Sequence, residues 1–351
     1  MSADPHAAAR EALPGLGLAV PLLAAPMAGG PTTPALVVAA ARAGGLGFLA
    51  GGYKSAPQLA AQILAVRSAD VPFGVNLFAP NPVPVDAAAF RRYARDLRPD
   101  AEVYGLDLEA AGPVADDDDW QRKFDLLRSD PVPVVSFTFG LPDRSAIAGL
   151  RRAGSLVVQT VTSVNEARAA ADAGVDMLAV QASAAGGHSG TLTPAQPPAQ
   201  IPLAALLGQI NSAVALPLIA AGGLATPEDV AATIHAGALA AMIGTALLRT
   251  PQSGASAVHR SALADAGERP TVITRAFTGR PARGLRNRFT EAHSAHAPLG
   301  YPALHHLTSP LRKAAAAAGD PERVNLWAGT GYRHGREEDA QQTITRLAAR
   351  L

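Results

Sequence analysis

Residues 217–249, PLIAAGGLATPEDVAATIHAGALAAMIGTALLR, decide the fold. The apolar run PLIAA at 217–221 stops at Gly222 and Gly223, and Thr226-Pro227-Glu228 then opens an amphipathic run that ends near Gly237. A second apolar run, 240–244, stops in turn at the segment GTALL. Thr before Pro is a helix-start signal and Gly a stop signal. Strand, glycine turn, helix and strand together make a βαβ unit, which implies parallel strands. A glycine-rich turn ahead of a helix also exposes unpaired N–H groups and a positive dipole end, which suits a phosphate.

Working outward, six more apolar runs precede this stretch: 22–25, 46–50, 72–77, 133–138, 156–160 and 177–181. Ala-rich amphipathic runs separate them. Thr33-Pro34 opens one that Gly44 follows, and Ser163 with Glu166 three residues on reads as a capping box. Eight parallel strands buried on both faces predict an α/β protein, a TIM (β/α)8 barrel, since closure removes every sheet edge. An open doubly wound sheet is the alternative. The barrel is assigned to residues 15–250, with an insertion at 79–130 that carries a helical run, DAAAFRRYARDL, and four aspartates, Asp116 to Asp119. Adjacent side chains point in different directions, so the aspartates read as a solvated loop rather than a metal site. Residues 251–351 exceed what a barrel of about 250 residues needs and are expected to form a smaller C-terminal cap or substrate domain. Its last helix, in DAQQTITRLAARL, is expected to pack back on the barrel.

Composition narrows the function. Of 351 residues 48% are apolar and 17% charged, which supports a well-packed core. Thirty Lys and Arg against 29 Asp and Glu give no general attraction to nucleic acid or an anionic membrane. There is no cysteine, which excludes thiolate metal sites and cysteine nucleophiles. The first fifteen residues lack an apolar signal core, so a cytoplasmic protein, monomer or homodimer, is expected.

Barrel enzymes work at the loops that follow their strands. After the first strand, Pro26 and Met27 fix a turn ahead of Gly29 and Gly30. The third strand carries Asn76, whose amide can donate and accept toward a heterocycle or simply satisfy a loop. The sixth ends at Gln181 and runs into ASAAGGHSG, where Gly186, Gly187 and Gly190 surround His188. That setting predicts an imidazole of near-neutral pKa in catalysis or substrate contact. The turns after strands seven and eight, with Gly222 and Gly223 in the first and Gly244 in the second, lie where barrels bind a phosphate. His305 and His306 could reach the pocket from the cap side.

The blocks APMAGG, GVNLF, AAGGHSG, AAGG and MIGT, followed by FTGRPARGLRNRF, YPALHHLTSPLR and LWAGTGYR, resemble the nitronate monooxygenases over almost the whole chain. The resemblance implies FMN as cofactor and oxidation of a nitronate, the anion of a nitroalkane, with dioxygen, giving a carbonyl compound and nitrite; whether neutral nitroalkanes are also substrates stays open. It implies flavin contacts at Asn76, Gln181, Gly186, Gly187, Gly222, Gly223 and Met242, Ile243, Gly244, Thr245, with Met27 beside the ring. His188 would lie over the flavin and hydrogen-bond or deprotonate the substrate. Lys54, Arg280 and Arg283 could add positive charge. The chain departs from the family pattern at Ala184, where an acidic residue is common, and at Thr330, where Gln is usual; either change could alter substrate choice.

Two other readings stay open: an FMN- and NAD(P)H-dependent enoyl reductase, and a flavin-binding protein without turnover. The barrel dehydrogenase acting on inosine monophosphate is excluded because it needs a cysteine.

Overall fold

A computed structural model describes residues 16–351. The chain runs through β1 (Leu22–Ala24), α1 (Pro34–Arg42), β2 (Leu46–Ala50), α2 (Ala56–Arg67) and β3 (Phe73–Phe78). It then enters the insertion, α3 (Ala87–Asp96), α4 (Arg98–Glu102) and α5 (Trp120–Ser129). The barrel resumes with β4 (Val134–Thr138), α6 (Arg144–Arg152), β5 (Leu156–Val161), α7 (Val164–Ala173) and β6 (Met177–Gln181). A two-residue strand β7 (Gly187–His188) precedes α8 (Leu203–Asn211), β8 (Leu218–Ala221), α9 (Pro227–His235) and β9 (Ala240–Ile243).

Strands β1–β6, β8 and β9 form a closed parallel barrel, sealed where β9 pairs with β1 through Met242 and Leu23. These are the eight strands that the apolar runs predict, each within a residue at either end. Alternation along each strand divides the core. Leu23, Phe48, Val158, Met177, Ile219 and Met242 fill the barrel, while residues such as Leu49, Val75, Val135 and Val180 pack outward under the helices. Helix caps follow the sequence with one exception. Thr226 accepts from Asp229 N and completes a capping box, but Ser163 makes only half of one. The Glu166 carboxylate turns instead to Thr162 N (2.5 Å), Thr191 Oγ1 (2.6 Å) and Leu192 N (2.7 Å), tying down the chain beyond His188.

Beyond the barrel come α10 (Ala257–Ala264), β10 (Thr271–Thr274), β11 (Ala282–Leu285), α11 (Arg288–His293), α12 (Ala303–Ala317) and α13 (Ala340–Leu347). The order β10-β11-β7 makes a small antiparallel sheet, in which His188 pairs with Ala282 and Gly187 with Arg283. The insertion packs on this region through Phe90, Tyr93, Leu97, Phe277, Phe289 and Leu304. A buried carboxylate fastens the two: Asp100 accepts from His293 Nε2 and from Arg323 Nε, both at 2.7 Å. Helix α13 packs between α1 and α9, its Ile344 and Leu347 joining Leu36 and Val230 in one cluster. No helix among the described residues is long and apolar enough to cross a membrane.

Candidate active site

The carboxyl ends of the barrel strands open into a cavity of about 1210 Å³, above the roughly 300–1,000 Å³ common for small-molecule sites. It has room for a cofactor and a substrate together. Met27, Asn76, Gln181, Gly186, Gly187, His188, Gly222, Gly223, Met242, Gly244 and Thr245 all line it. Ile243 does not. One residue on from Met242, its side chain points to the outside of the barrel and packs with Leu22, Ala24 and Leu36.

At one end, the turns after β8 and β9 converge. Among the described residues the backbone N–H groups of Gly222, Gly223, Leu224, Gly244 and Thr245 have no hydrogen-bond partner. A row of N–H groups left without an internal acceptor along a cavity fits an oxyanion. Gly223 has φ +80°, a conformation that glycine adopts without strain, so its N–H can turn toward the cavity. Thr245 Oγ1 accepts from Gly329 N at 3.0 Å, which draws the segment 329–331 onto the same spot. The second turn leads into a 3₁₀ turn, Thr245–Leu247, rather than an α-helix, so its contribution is N–H groups more than a helix dipole.

Gly186 explains how the third glycine segment fits. A Cβ there would lie 2.5 Å from Gly329 N and 2.6 Å from the Ala328 carbonyl carbon, both backbone atoms, which could give way only by a shift of the whole segment. The donors, the glycine cradle and the cavity's size together fit a phosphate-bearing flavin. Asn76 is almost fully buried at the barrel's open end and donates to Ser136 Oγ and Thr138 Oγ1, each at 3.0 Å, so its orientation is fixed. Gln181 accepts from Gly190 N at 2.7 Å and donates to His188 O at 3.2 Å. It holds the hairpin that carries the histidine.

His188 Nε2 lies 2.9 Å from Thr278 Oγ1. Its ring is walled edge-on by Phe139 (5.6 Å), Trp327 (5.4 Å) and Tyr301 (6.1 Å). Burial first, then the Arg280 and Arg312 guanidiniums, pushes its pKa down to about 3 rather than leaving it near neutral, because charging it would add a third buried cation. Arg280 is fully buried behind Phe139, its carbon 4.1 Å over that ring, with its hydrogen bonds going to the carbonyls of Ser189, Phe139 and Thr191. Arg312 lines the cavity and bonds the neutral groups of Thr308, Asn325 and His305. Arg283 faces away from the cavity to Ser183 O and Thr271 Oγ1, while Lys54 lines it and donates to Ala50 O.

The sequence reading overlooked Tyr53, Phe78, Phe139, Thr278, Arg312 and Trp327. Tyr53 and Phe139 had a legible signal, since Phe139 directly follows β4 and Tyr53 lies in the short loop just after β2. Thr278, Arg312 and Trp327 lie inside the blocks FTGRPARGLRNRF, YPALHHLTSPLR and LWAGTGYR, which carry the family resemblance, but no local pattern singles them out there.

Three imidazoles, His188, His259 and His305, are held at about 3, 4 and 2 by burial, against about 6.5 in an unfolded chain. As pH falls from 6.5 to 4.5 the unfolded chain therefore takes up their protons first, and stability drops. Asp118 works the other way: burial lifts it to about 6, so the folded chain gains that proton first. Unfolding is expected to take up a net of about two protons in this range, read as a fall in Tm across a pH series; a flat profile would mean that the imidazoles charge within the fold.

The nitronate monooxygenase family model matches residues 10–349. The chain belongs to the nitronate monooxygenase family. It is accordingly a flavin-dependent oxidoreductase. A probable nitronate monooxygenase from Staphylococcus aureus (strain MSSA476) is 36% identical over 338 residues, 95% of this chain and 94% of that protein. A nitroalkane oxidase from Streptomyces ansochromogenes superposes with a TM-score of 0.91 at 46% identity, covering 97% of both chains. FabK from Thermotoga maritima gives 0.74 at 25% identity, over 97% of this chain and 95% of that one.

Proposed function

We propose that the protein binds FMN and uses it to oxidise alkyl nitronates with dioxygen, releasing a carbonyl compound and nitrite. The observation that carries this reading is His188, a neutral imidazole on the cavity that also holds the oxyanion cradle. The cradle gathers unpartnered N–H groups at one place, which suits the single terminal phosphate of a mononucleotide. Gly186, Gly187, Gly222, Gly223, Gly244 and Thr245 would hold that phosphate, with Met27, Asn76 and Gln181 toward the ring. The redox chemistry is supplied by the flavin when bound.

The chain's own contribution is placement and potential. A nitronate already carries its negative charge on two oxygens, so it needs a hydrogen-bond donor and a positive field more than a base. His188 offers the donor, and the guanidiniums of Arg280 and Arg312, neither in an ion pair with a carboxylate among the described residues, supply the field. A base held near pKa 3 is too weak to deprotonate a neutral nitroalkane at neutral pH, which favours nitronates as substrates. Phe139, Trp327 and Tyr301 keep water from the reacting atoms. Residues 251–351 act as the cap, since Thr278, Arg312 and Trp327 all come from them.

Anaerobic mixing of the flavin-loaded protein with propane 2-nitronate, with nitroethane and with NADH tests this. Flavin bleaching by the nitronate, then oxygen uptake and nitrite release in air, is expected. Bleaching by NADH alone would replace this reading with the enoyl reductase.

A further inference from the structure

The loop after β2 carries a cation that the chemistry at His188 does not use. Lys54 lines the cavity, and one of its three ammonium N–H groups goes to Ala50 O at 2.7 Å, which folds the side chain back over the end of its own strand. Among the described residues the ammonium forms no ion pair and no other hydrogen bond. The carboxylates that line the cavity are committed elsewhere: Asp118 to the buried Lys123 at 2.5 Å, Asp116 to His306 at 2.9 Å, and Asp119 to Ala56 N at 2.8 Å. A partly buried ammonium whose only partner is a carbonyl bears a desolvation cost that nothing offsets. Burial first, then the Lys123 ammonium, pulls its pKa below the ordinary lysine value, and Asp118 restores only part of this.

Its place decides which ligand it can serve. Ala50 stands level with Asn76 in the barrel, and Gly51 N donates to Asn76 O at 2.8 Å. The ammonium therefore lies at the strand ends, on the side where Met27, Asn76 and Gln181 would meet the flavin ring. Arg280 and Arg312 come from the cap, and their charges act on the His188 imidazole. The charges that act on Lys54 are those of Lys123 and Asp118, in the insertion. A flavin ring gains negative charge when it is reduced, and a fixed cation beside it is one of the few means by which a protein tunes that step.

We propose that the Lys54 ammonium faces the flavin ring and stabilises the negative charge that the ring gains on reduction, so that Lys54 raises the reduction potential of the cofactor. This rests on the reading that sets the ring against Met27, Asn76 and Gln181, and its test uses no nitronate.

Lys54→Met keeps the length of the side chain and removes its charge. The FMN-loaded protein is equilibrated anaerobically with a redox dye, and the midpoint potential is read from the two spectra. Lys54→Met is expected to disfavour the reduced flavin about tenfold, a fall of about 30 mV for a two-electron couple, with flavin content unchanged. Lys54→Arg keeps the charge and should stay near the wild-type potential. Isobutyrate, an unreactive carboxylate with the shape of propane 2-nitronate, is titrated against the flavin absorption and should bind Lys54→Met within twofold of wild type, since Arg280 and Arg312 are its cations. An unmoved potential in Lys54→Met overturns the proposal, and weaker isobutyrate binding alongside it would assign the ammonium to the substrate instead. A potential that falls as far in Lys54→Arg as in Lys54→Met also overturns it, because packing rather than charge would then be what was lost. If the wild-type protein does not oxidise propane 2-nitronate the functional reading falls, and the potentials still decide the role of Lys54.

Discussion

Replacing His188 by asparagine leaves a protein that keeps its flavin and turns over a nitronate at least ~10²-fold more slowly, the scale at which a positioned hydrogen-bond donor to a developing or resident oxyanion contributes. The geometry gives the reason. Nε2 is engaged with Thr278 at 2.9 Å, while Nδ1 has no hydrogen-bond partner among the described residues and the ring lines the cavity. A neutral imidazole has one N–H and one bare nitrogen, and the Thr278 hydroxyl decides which faces the substrate. Asparagine has a shorter reach and cannot keep the Thr278 contact and present a donor at the same point. The hairpin should survive, because Gln181 grips it through the backbone of residues 188 and 190. The check is kcat/KM alongside flavin released on heating; wild-type turnover would remove His188 from the chemistry.

Gly186→Ala gives a colourless protein. The new Cβ would sit within 2.6 Å of backbone atoms of Ala328 and Gly329, so the segment carrying those residues must withdraw. Withdrawal breaks the bond from Gly329 N to Thr245 Oγ1 and separates the two halves of the oxyanion cradle. Flavin affinity is expected to fall by about 10²-fold or more, since several charge-assisted hydrogen bonds are lost together. The affinity is measured by titrating FMN into flavin-free protein, and circular dichroism reports whether the barrel persists. Undiminished affinity in a folded variant would place the phosphate elsewhere.

The barrel was legible because both faces of each strand are buried, so LGFLA and MLAVQ stand out as unbroken apolar runs between capped helices. Asn76, Gln181, His188 and the glycine turns were legible for a related reason, since position after a strand of a barrel is position at its mouth. What escaped depends on partners far away in sequence. The aspartates at 116–119 read as a solvated run, yet Asp118 is largely buried because Tyr53, 65 residues earlier, offers it an N–H. His188 lies in a strand only because Ala282 comes back beside it. Its depressed pKa follows first from burial under the cap and then from two arginines that no local pattern connects to it. Ile243 sits in a flavin-resembling block, yet strand alternation sends its side chain outward.

The seat of α13 against α1 and α9 has a consequence for how the molecule is made. The barrel's last strand is complete at residue 243, but the helix that covers the apolar seam beside it begins at residue 340. With chains growing at about 5–20 residues per second, Leu36 and Val230 wait roughly 5–20 s for their cover. A nascent barrel is therefore sticky along one side for that time, and synthesis that stalls in the stretch between them would release a product prone to associate through that side.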